Sequence, residues 1–470
     1  MTRHPIPPLA GVCTFDEAVR SELGVEECVA WMKRHHYVLR RLHEIFAARL
    51  TAEPIYELKS AFGHHGYLCA EHVTAIRKRV SELREPPLGL EAVPDDRLAL
   101  VCDEVLCAPT TAALLIGLYE VLVPALLDSA AKYQATTNPL ADAPSHRIAR
   151  FCHLELTDIR RFGEQAIASV VTDQNRADLA EWRNLLNDAL AAAGGLNGRD
   201  LPPDPAPMLK PQFSRTPYTY DAIPQRDDRF HDGYNGGVNP EAFLYNERFS
   251  PRDKVLMIYY KRLRELDVPE MMAGLLRDNE KPWEYQAEMT RQLWDETRHS
   301  LLGEVGFVDL GLDWTRIPVN FTFSLNLNTQ LAPQERHAVL FFIEQGLMPR
   351  SGKRYEWEIA QASGIPLARI IQDFDWADEV LHAQIGRRWY VSQFENLKQA
   401  MEHGDACWSK VSSHWRDYRE EGLTDHRNWW PELYQSACAR WNVEPDPAAL
   451  AFDETYEDTR ADLKTVPAAE

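Results

Sequence analysis

No pair of cysteines stands at CxxC spacing in this chain of 470 residues; its eight cysteines, Cys13, Cys28, Cys69, Cys102, Cys107, Cys152, Cys407 and Cys438, are scattered. The scatter excludes a thiolate zinc site and a rubredoxin-like electron carrier, and it suits reduced buried thiols better than a disulfide frame. Positive charge is also short, with 51 Lys plus Arg against 71 Asp plus Glu and a net charge of -20. Such a surface repels phosphate backbones and anionic headgroups, so neither nucleic acid nor a membrane is expected as a partner. No run approaches the roughly 18 consecutive apolar residues of a membrane span. The N-terminus (MTRHPIPPLAGVCTF) lacks the charged-then-apolar design of a secretory signal, and a cytoplasmic location is the expectation.

What is present is helical patterning. From Val25 to about Val171 apolar residues recur at three- and four-residue spacing, with breaks at Pro54, Pro86-Pro87 and Asn138-Pro139, and strand signals are nearly absent. Composition then shifts to Gly, Pro, Asp and Tyr between Gly194 and Ser250, too irregular for helices and too aromatic for a simple tether. A second helical stretch opens at Ser250-Pro251, an N-cap followed by proline in the first turn, and two further helices are expected at about 396–418 and 428–441. The fold class is therefore all-α. The expected division is an N-terminal helical bundle over 1–195, a connecting strap over 196–249, a metal-binding bundle over 250–395, and C-terminal helices with an acidic tail over 396–470.

Of sixteen histidines, only His299 and His382 have a glutamate three residues before them, in Glu296-Thr-Arg-His299 and Glu379-Val-Leu-His382. On a helix, positions i and i+3 share a face, so each motif aims a carboxylate and an imidazole at one point in a bundle interior. Two more glutamates lie where helical hairpins would set them opposite these motifs. Glu265 and Glu296 stand nearly equal distances before and after a turn centred near position 280, which predicts helices over 251–277 and 282–306. Glu344 lies in the apolar run HAVLFFIEQGL, where a buried carboxylate wants a cation or a hydrogen-bond partner, and its interval to Glu379 resembles that between Glu265 and Glu296. Asp295, Asp375 and Asp378, beside or near the motif glutamates, are candidates to hold the outward nitrogens of the histidines. Arg298, Arg387 and Arg388 would bind an anionic substrate or pair with surface acids.

The order Glu265, Glu296-x-x-His299, Glu344, Glu379-x-x-His382, with DETRH and DEVLHAQIGRRW, resembles the ferritin-like superfamily, especially its rubrerythrin-like and small hydroxylase branches. The resemblance covers about a third of the chain. It implies a four-helix bundle with two iron ions, Glu296 and Glu379 bridging or flanking them, His299 and His382 binding one each, and Glu265 and Glu344 completing the set. Four carboxylates and two imidazoles suit iron or manganese. Such a centre implies an oxygenase or oxidase that activates O2 against a small organic substrate, with electrons from a donor protein, a free reductant or the substrate. A peroxide-removing manganese or iron enzyme uses similar ligands. The alternative from another class is a non-catalytic helical scaffold, in which the glutamates and histidines form a polar seam without metal.

Shifting the chain by 224 residues lays Glu120 over Glu344 and Glu155 over Glu379, with Asp158 where His382 stands. A one-residue adjustment pairs Glu71 with Glu296 and Thr74 with His299, and Glu44 takes the place of Glu265. Both histidines are missing from this first copy, so a duplicated bundle is expected to be degenerate as a metal site.

Overall fold

A computed structural model describes residues 6–84, 89–201, 209–278, 281–412 and 415–456. The centre of the expected turn near position 280, the Pro86-Pro87 break and the acidic tail beyond 456 lie outside these residues. Every regular element among the described residues is helical, so the fold is all-α. Contacts divide the chain into two units: one holds the described residues of 1–49 and 65–220, the other those of 50–64 and 221–470.

The long helices of the first unit are α1 (Val25–Leu50), α2 (Tyr56–Glu82, whose first turns belong to the second unit), α3 (Asp96–Leu106), α4 (Thr111–Thr136), α5 (Ala143–Val170) and α6 (Ala180–Ala192). Val38, Leu42, Val73, Leu114, Leu118, Leu122 and Leu156 fill its core with almost no exposure. Helix α4 is long and apolar enough to cross a membrane by length and composition, a feature missed in counting uninterrupted apolar runs; 72% of its apolar window is buried inside the protein, as for a core helix.

The first unit extends past the expected boundary at 195 for a local reason. Glu104 on α3 is buried, and its carboxylate accepts the backbone N–H groups of Gln212, Phe213 and Ser214 at 2.8 to 3.1 Å together with the Trp182 indole at 2.9 Å. One carboxylate thus satisfies the polar backbone of an irregular strand of chain. The following residues fasten to the second unit instead, where Gln225 N–H donates to the Thr51 carbonyl and its own carbonyl accepts Lys59 Nζ at 2.7 Å. The strap is thereby split between the units.

The second unit contains α7 (Pro251–Arg264), α8 (Asp267–Asp278), α9 (Trp283–Asp309), α10 (Thr322–Gln330), α11 (Pro333–Gly346), α12 (Tyr355–Ala362), α13 (Pro366–Trp389), α14 (Leu397–Ser412) and α15 (Trp430–Trp441). Ser250 caps α7 by accepting the Asp253 N–H at 3.2 Å, with Pro251 in the first turn, as the sequence predicts. The single helix expected over 251–277 is broken at Glu265, whose φ/ψ of -66° and 0° ends α7. Pro269 explains the break, because it has no N–H to bond to the Glu265 carbonyl one turn back. The interval between Glu344 and Glu379 is also more than a hairpin. Pro349, an irregular turn over Arg350–Arg354 and helix α12 intervene, and α12 packs against both α7 and α13.

Helices α7 and α9 pack closely, as do α9 with α13 and α13 with α11. Gly303 sets the first contact: a Cβ there would lie 2.2 Å from the Leu263 nitrogen. No side chain fits, and the two backbones approach to a distance that brings Glu265 beside His299.

Candidate metal centre

Four helices and one turn supply the site. Helix α9 carries Asp295, Glu296 and His299 on successive turns of one face; α13 carries Asp375, Asp378, Glu379 and His382; α11 contributes Glu344, and the C-terminal end of α7 contributes Arg262 and Glu265. The turn before α12 adds Lys353. Glu296, His299, Glu344, Asp375, Glu379 and His382 are all buried, and Glu265 is half-buried. A cluster of this kind needs compensation for every charge it holds.

The six ligands anticipated from the sequence converge, and Asp375 joins them. Glu265, His299, Asp375 and Glu379 form one group and Glu296, Glu344, Glu379 and His382 a second, each offering ligand atoms within 4.8 Å of one another. Glu379 belongs to both. Glu296 spans them too: its Oε2 lies 3.5 Å from His299 Nδ1 and its Oε1 3.1 Å from His382 Nδ1. Nδ1 of His299 also faces Glu265 at 3.3 Å and Asp375 at 3.7 Å; Nδ1 of His382 faces Glu379 at 3.7 Å and Glu344 at 3.8 Å. These are ion-pair contacts rather than aligned hydrogen bonds. Nδ1 of both histidines, Oε2 of Glu265 and Oε2 of Glu379 are buried without a hydrogen-bond partner. Buried polar atoms are rarely left so, and here they are turned toward common points.

The outward nitrogens are held in a crossed arrangement. His299 Nε2 lies 3.2 Å from Asp378, and His382 Nε2 lies 3.3 Å from Asp295, so each motif's aspartate serves the other motif's histidine. Arg298 bridges the two aspartates, at 2.9 Å from Asp378 and in close contact with Asp295, while Arg291 binds Asp295 at 2.9 Å. Asp295 and Asp378 stand where the sequence reading puts them. Asp375 does not: instead of holding an outward nitrogen it projects among the ligand atoms, because position 375 lies one turn before Glu379 on the same helix face. Arg387 and Arg388 pair at the surface with Gln345 and Glu288.

The electrostatics follow from this crowding. Burial opposes charge on His299, but Asp378, Glu265 and Glu296 outweigh it and lift its pKa to about 10. Burial likewise opposes charge on His382, and Asp295, Glu296 and Glu379 raise it well above the ordinary imidazole range. Burial would raise Glu296, yet the two imidazoles bring it down to about 2. Between the adjacent carboxyls Glu344 and Glu379 the proton stays on Glu344, which burial and the charges of Glu379 and Glu296 push up, while Lys353 and His382 keep Glu379 ionised against burial. The donor set is mixed imidazole and carboxylate without thiolate, and it could hold a metal ion.

Two residues escape the sequence reading. Lys353 is fully buried, with Nζ 2.9 Å from Glu379 and 3.0 Å from Asp375. Arg262, also fully buried, pairs with Asp375 and lies 2.8 Å from Glu265. Arg262 stands one turn before Glu265, a spacing that signals contact; for Lys353 the chain offers no local signal. Glu270, five residues after Glu265, stands outside both groups and is bound by Lys59 and by Arg226 at 2.8 Å.

The positions of the fainter first copy do not converge. Glu120 pairs with Arg176 and Arg183 at 2.8 and 3.1 Å, Glu155 with His72 at 2.8 Å, and exposed Asp158 with Arg161 at 2.9 Å. Glu44 is held by Arg40 and Arg41, each at 3.2 Å, and Glu71 and Thr74 are exposed. Among the described residues the only two candidate metal-ligand groups are those of the second unit. Comparison of the chain with protein-family models, with curated proteins and with solved structures finds no match.

Proposed function

We propose that the cluster is a dimetal carboxylate centre within a ferritin-like arrangement of α7, α9, α11 and α13, holding two iron ions, with manganese as the other occupant its donors suit. The chain is then an oxygenase or oxidase that uses O2 to oxidise a small organic molecule in a biosynthetic or modification pathway, drawing electrons from a donor protein or a free reductant. One observation carries this reading: buried donor atoms without hydrogen-bond partners converge on two points that share Glu379. A polar seam serving only structure would pair these atoms with one another in aligned hydrogen bonds.

Two iron ions held by such a ligand set would supply two of the electrons that dioxygen reduction requires, the rest coming from the donor or the substrate. The chain supplies the geometry. Asp295 and Asp378 fix the rings of His382 and His299 through Nε2, which turns both Nδ1 atoms inward. Glu296 and Glu379 lie between the groups, and the apolar flank of Glu344, with Phe341 and Leu340 buried, keeps bulk water away.

The test is anaerobic loading of the full chain with Fe(II), followed by metal analysis by mass spectrometry and by O2 uptake. The expected result is two irons per chain and O2 consumption, both lost in an E296A/E379A variant whose far-ultraviolet circular dichroism is unchanged. Wild-type chain that stays empty after loading would overturn the reading in favour of a scaffold. Vigorous peroxide turnover without an organic substrate would replace the oxygenase by a peroxide-removing enzyme.

A further inference from the structure

The two ligand groups differ in the cations around them. In the group Glu265, His299, Asp375 and Glu379, two fixed positive charges stand among the ligands. Lys353 Nζ holds Glu379 Oε1 at 2.9 Å and Asp375 at 3.0 Å, and Arg262 holds Asp375 and, at 2.8 Å, Glu265. In the other group only the shared Glu379 meets a fixed positive charge; Glu296 and Glu344 have no lysine or arginine ion pair among the described residues, and their partners are imidazoles and the Gln292 amide, at 3.0 Å from Glu344. Like charges repel strongly where water is excluded, so a divalent ion meets a larger penalty at the first group, where Asp375 and Glu265 are held by cations in addition to the shared Glu379, than at the second.

Lys353 is held in place by its turn. The backbone of Gly352 is non-helical, and a Cβ there would lie 2.1 Å from the Leu347 carbonyl, which accepts the Lys353 N–H at 3.1 Å. The close approach that Gly352 permits turns the next residue inward, so the ammonium arrives among the ligands by construction of the backbone.

We infer that the two metal positions are unequal and fill in order. The group Glu296, Glu344, Glu379 and His382 takes its ion first; the group Glu265, His299, Asp375 and Glu379 takes the second about tenfold or more weakly, because Lys353 must also release Asp375 there, beside Arg262 on Asp375 and Glu265, whereas its hold on Glu379 is common to both. This inference rests on the dimetal reading above. It adds a residue, Lys353, that sets the loading order without being a ligand.

The experiment is titration of the full chain with Mn(II) alone, followed by equilibrium dialysis and electron paramagnetic resonance. In the wild type the first equivalent should give the sharp signal of isolated Mn(II), and the second should bind about tenfold or more weakly and broaden it through coupling. H382A should lose the tight class and H299A only the weak one, which decides the order even where a Lys353 variant does not fold. K353M should bring the two affinities within about threefold of each other. Equal affinities in the wild type or loss of the tight class in H299A would overturn the loading order, and an unchanged gap in folded K353M would overturn the role of Lys353; each would leave the dimetal reading standing. A wild-type chain that retains no Mn(II) at any concentration would overturn both.

Discussion

Buried histidines occur in both units, and the two of the candidate metal centre behave in the opposite way to those on α1. His35, His36 and His43 on α1 are buried, and burial, with Arg34, Arg77 and Arg40 respectively adding repulsion, depresses each to about 4. His35 meets Ser129 at 2.6 Å, and His36 meets Arg77 at 3.4 Å. His299 and His382 are as deeply buried, yet carboxylates on several helices raise both. The comparison teaches that burial alone makes imidazole a neutral packing group, and that a converging set of carboxylates turns the same side chain into a charge holder. The difference lies in which helices face each other and is invisible in the histidines themselves.

The largest expected effect comes from removing the carboxylate that faces both His299 and His382. In the metal-free chain, E296A leaves two buried imidazoliums short of a counter-charge and should cost about 3 kcal/mol or more in denaturant unfolding; a cost under about 1 kcal/mol would show that the two histidines are neutral packing groups after all. Next comes G303A, whose methyl group would press on the Leu263 backbone. It should destabilise by about 1–3 kcal/mol and weaken metal retention, because α7 must back away with Glu265.

Acidification probes the first unit. His35, His36 and His43 stay neutral in the fold below their ordinary value of 6.5, while the unfolded chain takes up protons there. Their contribution is therefore complete near pH 7 and is lost as pH falls toward 4. Each should account for about 2 kcal/mol by pH 5, and replacing His43 by leucine should flatten the fall in melting temperature between pH 7 and 5. The smallest effect is expected at Glu120, the counterpart of Glu344 in the shifted alignment. E120Q loses partly exposed pairs with Arg176 and Arg183 and should change stability by no more than about 0.5 kcal/mol and metal content not at all.

What the sequence made legible was local. Glu296 with His299 and Glu379 with His382 could be read because helical geometry fixes positions i and i+3 on one face whatever surrounds them, and Glu344 because a charge in an apolar run demands a partner. Asp375 was open to the same logic, one turn before Glu379, although its depth was not. Glu265 was found through an assumed continuous helix that Pro269 in fact breaks; the residue reaches the cluster from the broken end. Lys353 and the crossed pairing of Asp295 and Asp378 depend on contacts between segments distant in sequence, which no periodicity encodes. The first copy misled in the reverse sense, since Glu120 and Glu155 keep the spacing and lack the facing partners.

The crossed aspartate and histidine pairs also constrain how α9 and α13 can be altered. Four residues forward along α9, from Asp295 to His299, correspond to four residues backward along α13, from His382 to Asp378, so the two contacts sit one turn apart like two pins through antiparallel rods. Sliding either rod by a single residue rotates its face by about 100° and shifts it by about 1.5 Å, which withdraws both pins together. A one-residue insertion between α9 and α13 would be absorbed by the connecting segments. The same insertion between Asp295 and His299, or between Asp378 and His382, would leave one contact formed only by dissolving the other, so these two short stretches tolerate changes of side chain far better than changes of length.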